Sequence, residues 1–239
     1  LQRENIFVIE EDLTHTRVHE GQRSVGKDRK FSIDLRQNYH TIKTRYYTPR
    51  MKVIIATPFY EMRGFSPYIS SLSGTIQALT KLGIEHEFWE LSGDSYVDRA
   101  KNTLFNKFLE DPAATDLFMI DSDMQWNPVA FVNMLRLPYE IVMGSYPQKN
   151  AWETWTARPR LEVDKDGKHR PVGQILDGGL VVIQAEYLAG GFIRVKREAL
   201  IKYQDSYPEL RYHDGGADPQ YPERLYTQFF NCEIQTKDG

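Results

Sequence analysis

Asp121 and Asp123, separated only by Ser122, close the apolar run Asp116-Leu117-Phe118-Met119-Ile120. Two carboxylates one residue apart can hold a hard divalent cation, and that cation can in turn grip a diphosphate. A continuous apolar run of this length suits a strand covered on both faces. The pair is therefore expected at the strand's C-terminal edge, where open α/β sheets bind ligands. Asp and Ser equally suit a plain turn or a helix cap. The surrounding groups have to decide between a site and a connection.

A helix expected from Asp94 carries Val97, Leu104 and Phe108 on one face and Arg99, Asn102 and Asn106 on roughly the opposite one. The polar face is either solvated or, at its first turn, close enough to the ligand edge for Arg99 and Asn102 to reach a nucleotide. Thr57-Pro58 follows the first expected strand of the regular region, where such folds receive a base or ribose, though a loop threonine needs no ligand. Lys149 follows the fourth strand and is either an exposed loop lysine or a neutraliser of phosphate charge. Gly190-Gly191 exposes backbone amides that a sugar or phosphate can approach, and a bulge or tight turn uses two glycines equally well. His213, beside Asp214, is a candidate third metal ligand or acceptor contact, set against the ordinary role of a lone histidine.

These residues need a scaffold, and the pattern from Lys52 onward supplies one. Val53-Ile54-Ile55-Ala56 is a strand signature; Ser66-Pro67 opens a helix that Gly83 closes after Leu82. Ile84 to Leu91 is a second strand, the Asp94 helix ends near Pro112, and Asp116 to Ile120 is the third strand. Asn127-Pro128 starts a helix to about Leu137, and Tyr139 to Met143 is a fourth strand. Alternation with short joints predicts a parallel sheet between two helical layers. Beyond Gly144 the chain is expected to turn antiparallel: Trp152 to Arg160 and Glu162 to Val172 alternate around the hairpin signal Asp166-Gly167. Gly179 to Tyr187 and Phe192 to Val195 are further strands, Arg197 to Tyr203 is a short helix, and Pro208 to Pro222 is a long binding-type loop. Residues 1–50 are highly charged and read as a linker or the tail of a preceding domain, with short strands at Ile6 to Ile9 and Phe31 to Leu35.

Composition narrows the classes. A chain of 239 residues with 41% hydrophobic content can bury a substantial core. The net charge of -3 argues against a protein devoted to neutralising nucleic-acid phosphates. With one cysteine, Cys232, no disulfide framework or cysteine-rich zinc site forms within the chain, which suits a cytoplasmic setting. No run is long enough to span a membrane and no signal pattern opens the chain. Dinucleotide, P-loop and serine-hydrolase fingerprints are missing, as is any paired-histidine zinc motif. The start at Leu1 and the close at Gln235-Thr-Lys-Asp-Gly239 point to a piece of a longer polypeptide.

Taken in order, Val53-Ile-Ile-Ala-Thr-Pro58, Asp98-Arg-Ala-Lys-Asn102, Phe118-Met-Ile-Asp-Ser-Asp123, Gly144-Ser-Tyr-Pro-Gln-Lys149 and Ala189-Gly-Gly-Phe-Ile-Arg-Val-Lys-Arg197 resemble the GT-A-fold glycosyltransferases. The likeness is strongest to the bacterial and large-virus or phage enzymes, and it covers residues 51 to 230. It implies a GT-A-like, Rossmann-type three-layer α/β sandwich over 51–239, with a mostly parallel central sheet and a smaller antiparallel C-terminal part. It further implies transfer of a sugar from a UDP- or GDP-sugar to an acceptor that the sequence leaves open: glycan, protein, lipid or modified nucleic acid. A viral origin would place this activity in the host cytoplasm. By the resemblance Thr57, Pro58, Arg99 and Asn102 line the nucleotide subsite, and Asp121 and Ser122 meet the ribose or donor sugar. Asp123, with Asp121 and with His213 as a further candidate, coordinates Mn²⁺ or Mg²⁺ on the diphosphate. Lys149, Gly190 and Gly191 then lie near the donor sugar or acceptor.

The resemblance has a gap. Family members continue after the long loop into a Glu-Asp-containing helix that supplies the catalytic carboxylate of inverting enzymes, and often into a metal-binding histidine. Nothing equivalent follows Cys232-Glu233-Ile234, so the domain is expected to be truncated and neither a general base nor the stereochemical course is assigned. A sugar nucleotidyltransferase shares the sheet and the metal, but Arg63-Gly64 is a thin version of its glycine- and lysine/arginine-rich loop. A non-catalytic carbohydrate-binding or structural module on the same fold is the third alternative.

Overall fold

The computed structural model describes residues 6–10, 51–148, 151–176, 181–187, 189–213 and 225–230. The expected strand at Phe31 to Leu35 and Lys149 lie outside them.

Strand β2 (Lys52–Phe59) leads into helix α1 (Ser66–Leu82), strand β3 (Glu85–Ser92), helix α2 (Val97–Glu110) and strand β4 (Asp116–Ile120). Helix α3 (Pro128–Arg136) and strand β5 (Ile141–Gly144) complete the regular half. Their limits fall within a few residues of the expected ones, and α1 and α3 are bounded by strong local signals. Pro67 stands at the first turn of α1 and Gly83 ends it at φ 67°, a left-handed conformation that glycine adopts freely. The N-cap is Phe65 rather than Ser66, and it makes no side-chain capping bond. Asn127 caps α3 by accepting the Val129 N–H at 2.9 Å.

Among the described residues the central sheet holds nine strands. Its order runs β11 (Gly173–Ile175), β12 (Val181–Tyr187), β1 (Ile6–Glu10), β5, β13 (Phe192–Lys196), β4, β2, β3, with β8 (Arg158–Pro159) added beside β12. Strands β2, β3 and β4 are mutually parallel, and β1 is parallel to β5. Strand β13 runs antiparallel between β4 and β5, and β12 runs antiparallel to both β1 and β11. The chain is thus a mixed α/β protein in which most sheet strands share one direction. Strand β1, at the place of the strand expected at Ile6 to Ile9, pairs with β5 and β12 within this sheet.

Alternate residues of the buried strands feed two cores. Val53 and Ile55 of β2 and Phe118 and Ile120 of β4 pack with α1 and α3 through Tyr68, Leu72, Phe131 and Met134. Ile54, Ala56, Leu117 and Met119 face the other way, onto Leu104, Phe105 and Phe108 of α2 and Leu200 of helix α4 (Arg197–Ser206). A strand with an apolar residue at every position is what a sheet sandwiched between helices requires.

The second half carries smaller two-stranded units: β6 (Pro147–Gln148) with β7 (Ala151–Trp155), and β9 (Leu161–Val163) with β10 (His169–Pro171). The second is the hairpin expected at Asp166-Gly167; Asp164 closes its turn by accepting the N–H groups of Asp166 and Lys168 at 2.9 Å each. Strand β14 (Arg211–His213) pairs with β15 (Leu225–Thr227), so part of the stretch expected as loop is strand.

Candidate functional site at the carboxyl ends of β2, β3 and β4

The aspartate pair stands where β4 ends. Met124 N–H donates to the Asp121 carbonyl at 3.1 Å, closing a turn over Ser122 and Asp123. The turn is fastened to α1 by Trp126, whose backbone N–H donates to Ser71 Oγ at 3.0 Å and whose indole N–H donates to Thr75 Oγ1 at 2.8 Å. Tyr68 and Phe192 bracket the same indole with ring centroids at 5.3 and 5.6 Å. The turn that carries the carboxylates is therefore held by the core.

Antiparallel register brings the glycine pair to the aspartates. Phe192 lies opposite Ile120, so the residue before it, Gly191, falls beside Asp121. Asp121 N–H donates to the Gly191 carbonyl at 2.9 Å, and Gly191 N–H donates to the Tyr146 hydroxyl at 3.0 Å. A Cβ at Gly191 would lie 2.2 Å from that hydroxyl and 3.1 Å from Asp121 Oδ2. Only glycine fits there.

Lys101, which the motif reading passed over, completes this corner. Its ammonium lies 2.8 Å from Asp121 Oδ1 and donates to the Gly190 carbonyl at 2.9 Å, with the side chain only 8% exposed. The Phe230 ring covers it at 5.6 Å. The sequence did contain a signal: Leu104, Phe105 and Phe108 follow Lys101 at helical spacings of three, four and seven, so the lysine sits on the apolar stripe.

The polar face of α2 is only partly solvated: Arg99 is exposed, whereas Asn102 and Asn106 are buried. The two asparagines are 4% exposed each because they grip the end of β15 and the segment after it. Asn102 Oδ1 accepts the N–H groups of Phe229 and Phe230 at 2.8 Å each, and its amide donates to the Phe230 carbonyl at 3.0 Å. Asn106 holds both backbone groups of Thr227, at 2.8 and 2.9 Å. The two amides are buried without cost because backbone is as good a partner for an amide as water. Val97, expected on the core face, is exposed because the first turn of α2 overhangs the end of the sheet.

That overhang makes a pocket of about 190 Å³, lined by Pro58, Phe59, Tyr60, Leu91, Asp94, Ser95, Val97 and Ala100. Asp94 is fixed at its rim. It accepts from Arg99 at 2.8 and 2.7 Å and from Tyr96 N–H at 2.9 Å. The guanidinium holds its carboxyl below the usual carboxylate range. Ala100 lines the pocket while its neighbour Lys101 meets Asp121, so one turn of α2 touches both features.

Of the expected site residues, Asp121, Gly190 and Gly191 converge with Lys101 at the aspartate corner; Ser122 and Asp123 share its turn. Pro58 lines the pocket, and Arg99 acts there through Asp94. Thr57 is fully buried, its hydroxyl 2.5 Å from that of Tyr68. Burial raises the Tyr68 phenol well above its ordinary range and keeps it neutral. His213 is an exposed residue of β14. Among the described residues no three His, Cys, Asp or Glu side chains group into a metal cage. A pair of carboxylates still fits the hard-cation mode in which one or two protein carboxylates share the ion with substrate phosphates.

No family model and no curated protein matches the chain. Among solved structures 12 chains match, including A197 from STIV, at 19% identity over 64% of this chain and 68% of that one, with a TM-score of 0.41.

Proposed function

We propose that the chain transfers a sugar from a nucleotide-sugar donor, with Mn²⁺ or Mg²⁺ held by Asp123 and Asp121 against the donor diphosphate. The observation that carries this reading is the adjacency of an apolar pocket and a carboxylate pair, joined by one turn of α2 at the carboxyl ends of parallel strands. Open α/β sheets take their ligands at that edge. The pocket between Pro58, Leu91 and Ala100 has the size and apolar walls for a nucleobase, with Asp94 placed to accept hydrogen bonds from it or from the ribose. The aspartate turn then receives the diphosphate, beside the Gly191 backbone that accepts the Asp121 N–H. A divalent cation at this position supplies Lewis-acid stabilisation of the departing nucleoside diphosphate. The residues of the chain bind and orient the donor: α2 fixes the nucleoside end, and the turn fastened to α1 by Trp126 holds the carboxylates without reorganisation.

The test is thermal unfolding with UDP- or GDP-sugars, with and without Mn²⁺. A metal-dependent rise in melting temperature is expected, abolished by Asp123→Asn. Val97→Trp, a change at an exposed position, is expected to block the pocket and remove the shift while the unliganded melting temperature stays near wild type. A chain that no nucleotide sugar stabilises with either metal is not such a transferase. Formation of nucleotide sugar from sugar phosphate and nucleoside triphosphate would instead favour a nucleotidyltransferase.

A further inference from the structure

Lys101 places a fixed positive charge inside the corner where a metal is to bind. We propose that this ammonium is a resident counter-cation that makes divalent-metal binding conditional on a diphosphate. The proposal rests on reading Asp121 and Asp123 as the donor site.

The geometry leaves Lys101 little freedom. Its ammonium is shared between Asp121 Oδ1 at 2.8 Å and the Gly190 carbonyl at 2.9 Å, and its side chain is 8% exposed against 19% for Asp121. Phe230 roofs it, and the Phe230 backbone is itself gripped by Asn102 on the same helix. A buried ammonium is retained only where partners replace its water, so withdrawing it from Asp121 is costly. The Lys101 ammonium offsets part of the negative charge that Asp121 brings to the corner. Affinity of oxygen-ligand sites for hard cations follows the ligand charge count. The metal therefore lacks enough ligand charge from the protein alone, and the diphosphate oxygens provide the remainder. Metal and nucleotide then enter together, and the empty site does not collect divalent cations from solution.

The experiment is titration of Mn²⁺, followed by its electron paramagnetic resonance signal, for wild type and Lys101→Met, each with and without UDP or GDP. Methionine keeps most of the buried volume and removes the charge. Wild type is expected to bind Mn²⁺ weakly alone and at least about tenfold more tightly with a nucleoside diphosphate, whereas Lys101→Met gains about tenfold in affinity for Mn²⁺ alone. Adding Asp123→Asn to Lys101→Met is expected to erase the gain. Equal metal-only affinity in wild type and folded Lys101→Met overturns the proposal while leaving the donor site standing. If Lys101→Met does not fold, wild type decides: tight Mn²⁺ binding without nucleotide overturns the proposal, and nucleotide-dependent binding supports it. A wild-type chain that binds Mn²⁺ in no combination defeats the donor-site reading and this inference with it.

Discussion

Asn102 holds Phe230, a residue 128 positions further along the chain, by both backbone groups: its side chain accepts the Phe230 N–H at 2.8 Å and donates to the Phe230 carbonyl at 3.0 Å. One amide side chain thus docks the last described segment onto the helix that carries Lys101. The aromatic rings follow, with Phe229 and Phe230 packing against Phe105 at 5.5 and 5.2 Å.

Replacing Asn102 by alanine would strand the N–H groups of Phe229 and Phe230 and the Phe230 carbonyl. Each buried polar group left without a partner costs about 1–3 kcal/mol, so urea unfolding of Asn102→Ala should show a loss in or above that range. A change below about 0.5 kcal/mol, the size typical of an inconsequential surface substitution, would mean that the segment is not docked in solution.

A second prediction concerns acid. Lys52 Nζ lies 2.8 Å from Asp111 Oδ2 and 2.5 Å from Glu87 Oε1, tying the start of β2 to the end of α2 and to β3. The ammonium holds both carboxyls below their ordinary range, Asp111 with help from the Ala113 N–H and Glu87 with help from the Trp89 indole. Carboxyls depressed in the folded state contribute stability that is present above their unfolded values and lost as pH falls through the folded ones. The two carboxyls in turn raise Lys52, whose contribution is complete at neutral pH and is lost only as strong alkali deprotonates it. Melting temperature should therefore fall on acidification below about pH 4, and Lys52→Met should flatten that part of the profile. An unchanged acid slope in the variant would show that the ion pairs do not persist in solution. Much of Glu87 is exposed, so solvent screening keeps its share small.

Sequence pattern revealed the frame of the site better than its wiring. Strands β2 and β4 are legible because Val53 to Ala56 and Leu117 to Ile120 are apolar throughout, and α1 and α3 because Pro67, Gly83, Asn127 and Pro128 mark their ends. Local signals of that kind need no knowledge of the fold. The ion pair of Lys101 with Asp121 and the grip of Asn102 on Phe230 join residues far apart in sequence, and no periodicity announces them. Strand β13 is legible as a strand but not as the antiparallel neighbour of β4, the placement that sets Gly191 beside Asp121. Arg194 shows the same limit. It looks like an ordinary strand arginine, yet it is 1% exposed and bonds the Asp116 carboxylate at 2.8 Å and the Tyr139 carbonyl at 2.7 Å.

The last prediction tests how tightly Gly191 controls Asp121. A methyl group there would meet the Tyr146 hydroxyl at 2.2 Å and its ring carbon at 2.8 Å, so β13 or Tyr146 must move. Overpacking of a buried position costs about 1–3 kcal/mol, the loss expected for Gly191→Ala in urea unfolding. Tyr146→Phe removes the nearest atom but leaves the ring carbon, so the alanine should cost less in that background without becoming neutral. The two substitutions are therefore expected to be non-additive, as contacting residues are. Because the Gly191 carbonyl accepts the Asp121 N–H at 2.9 Å, any shift of β13 is passed to the carboxylate turn. Gly191→Ala should accordingly weaken the metal-dependent thermal shift by nucleotide sugar even where the variant remains folded. Full retention of that shift, alongside the expected loss of stability, would separate the packing role of the glycine from any role in placing the carboxylate.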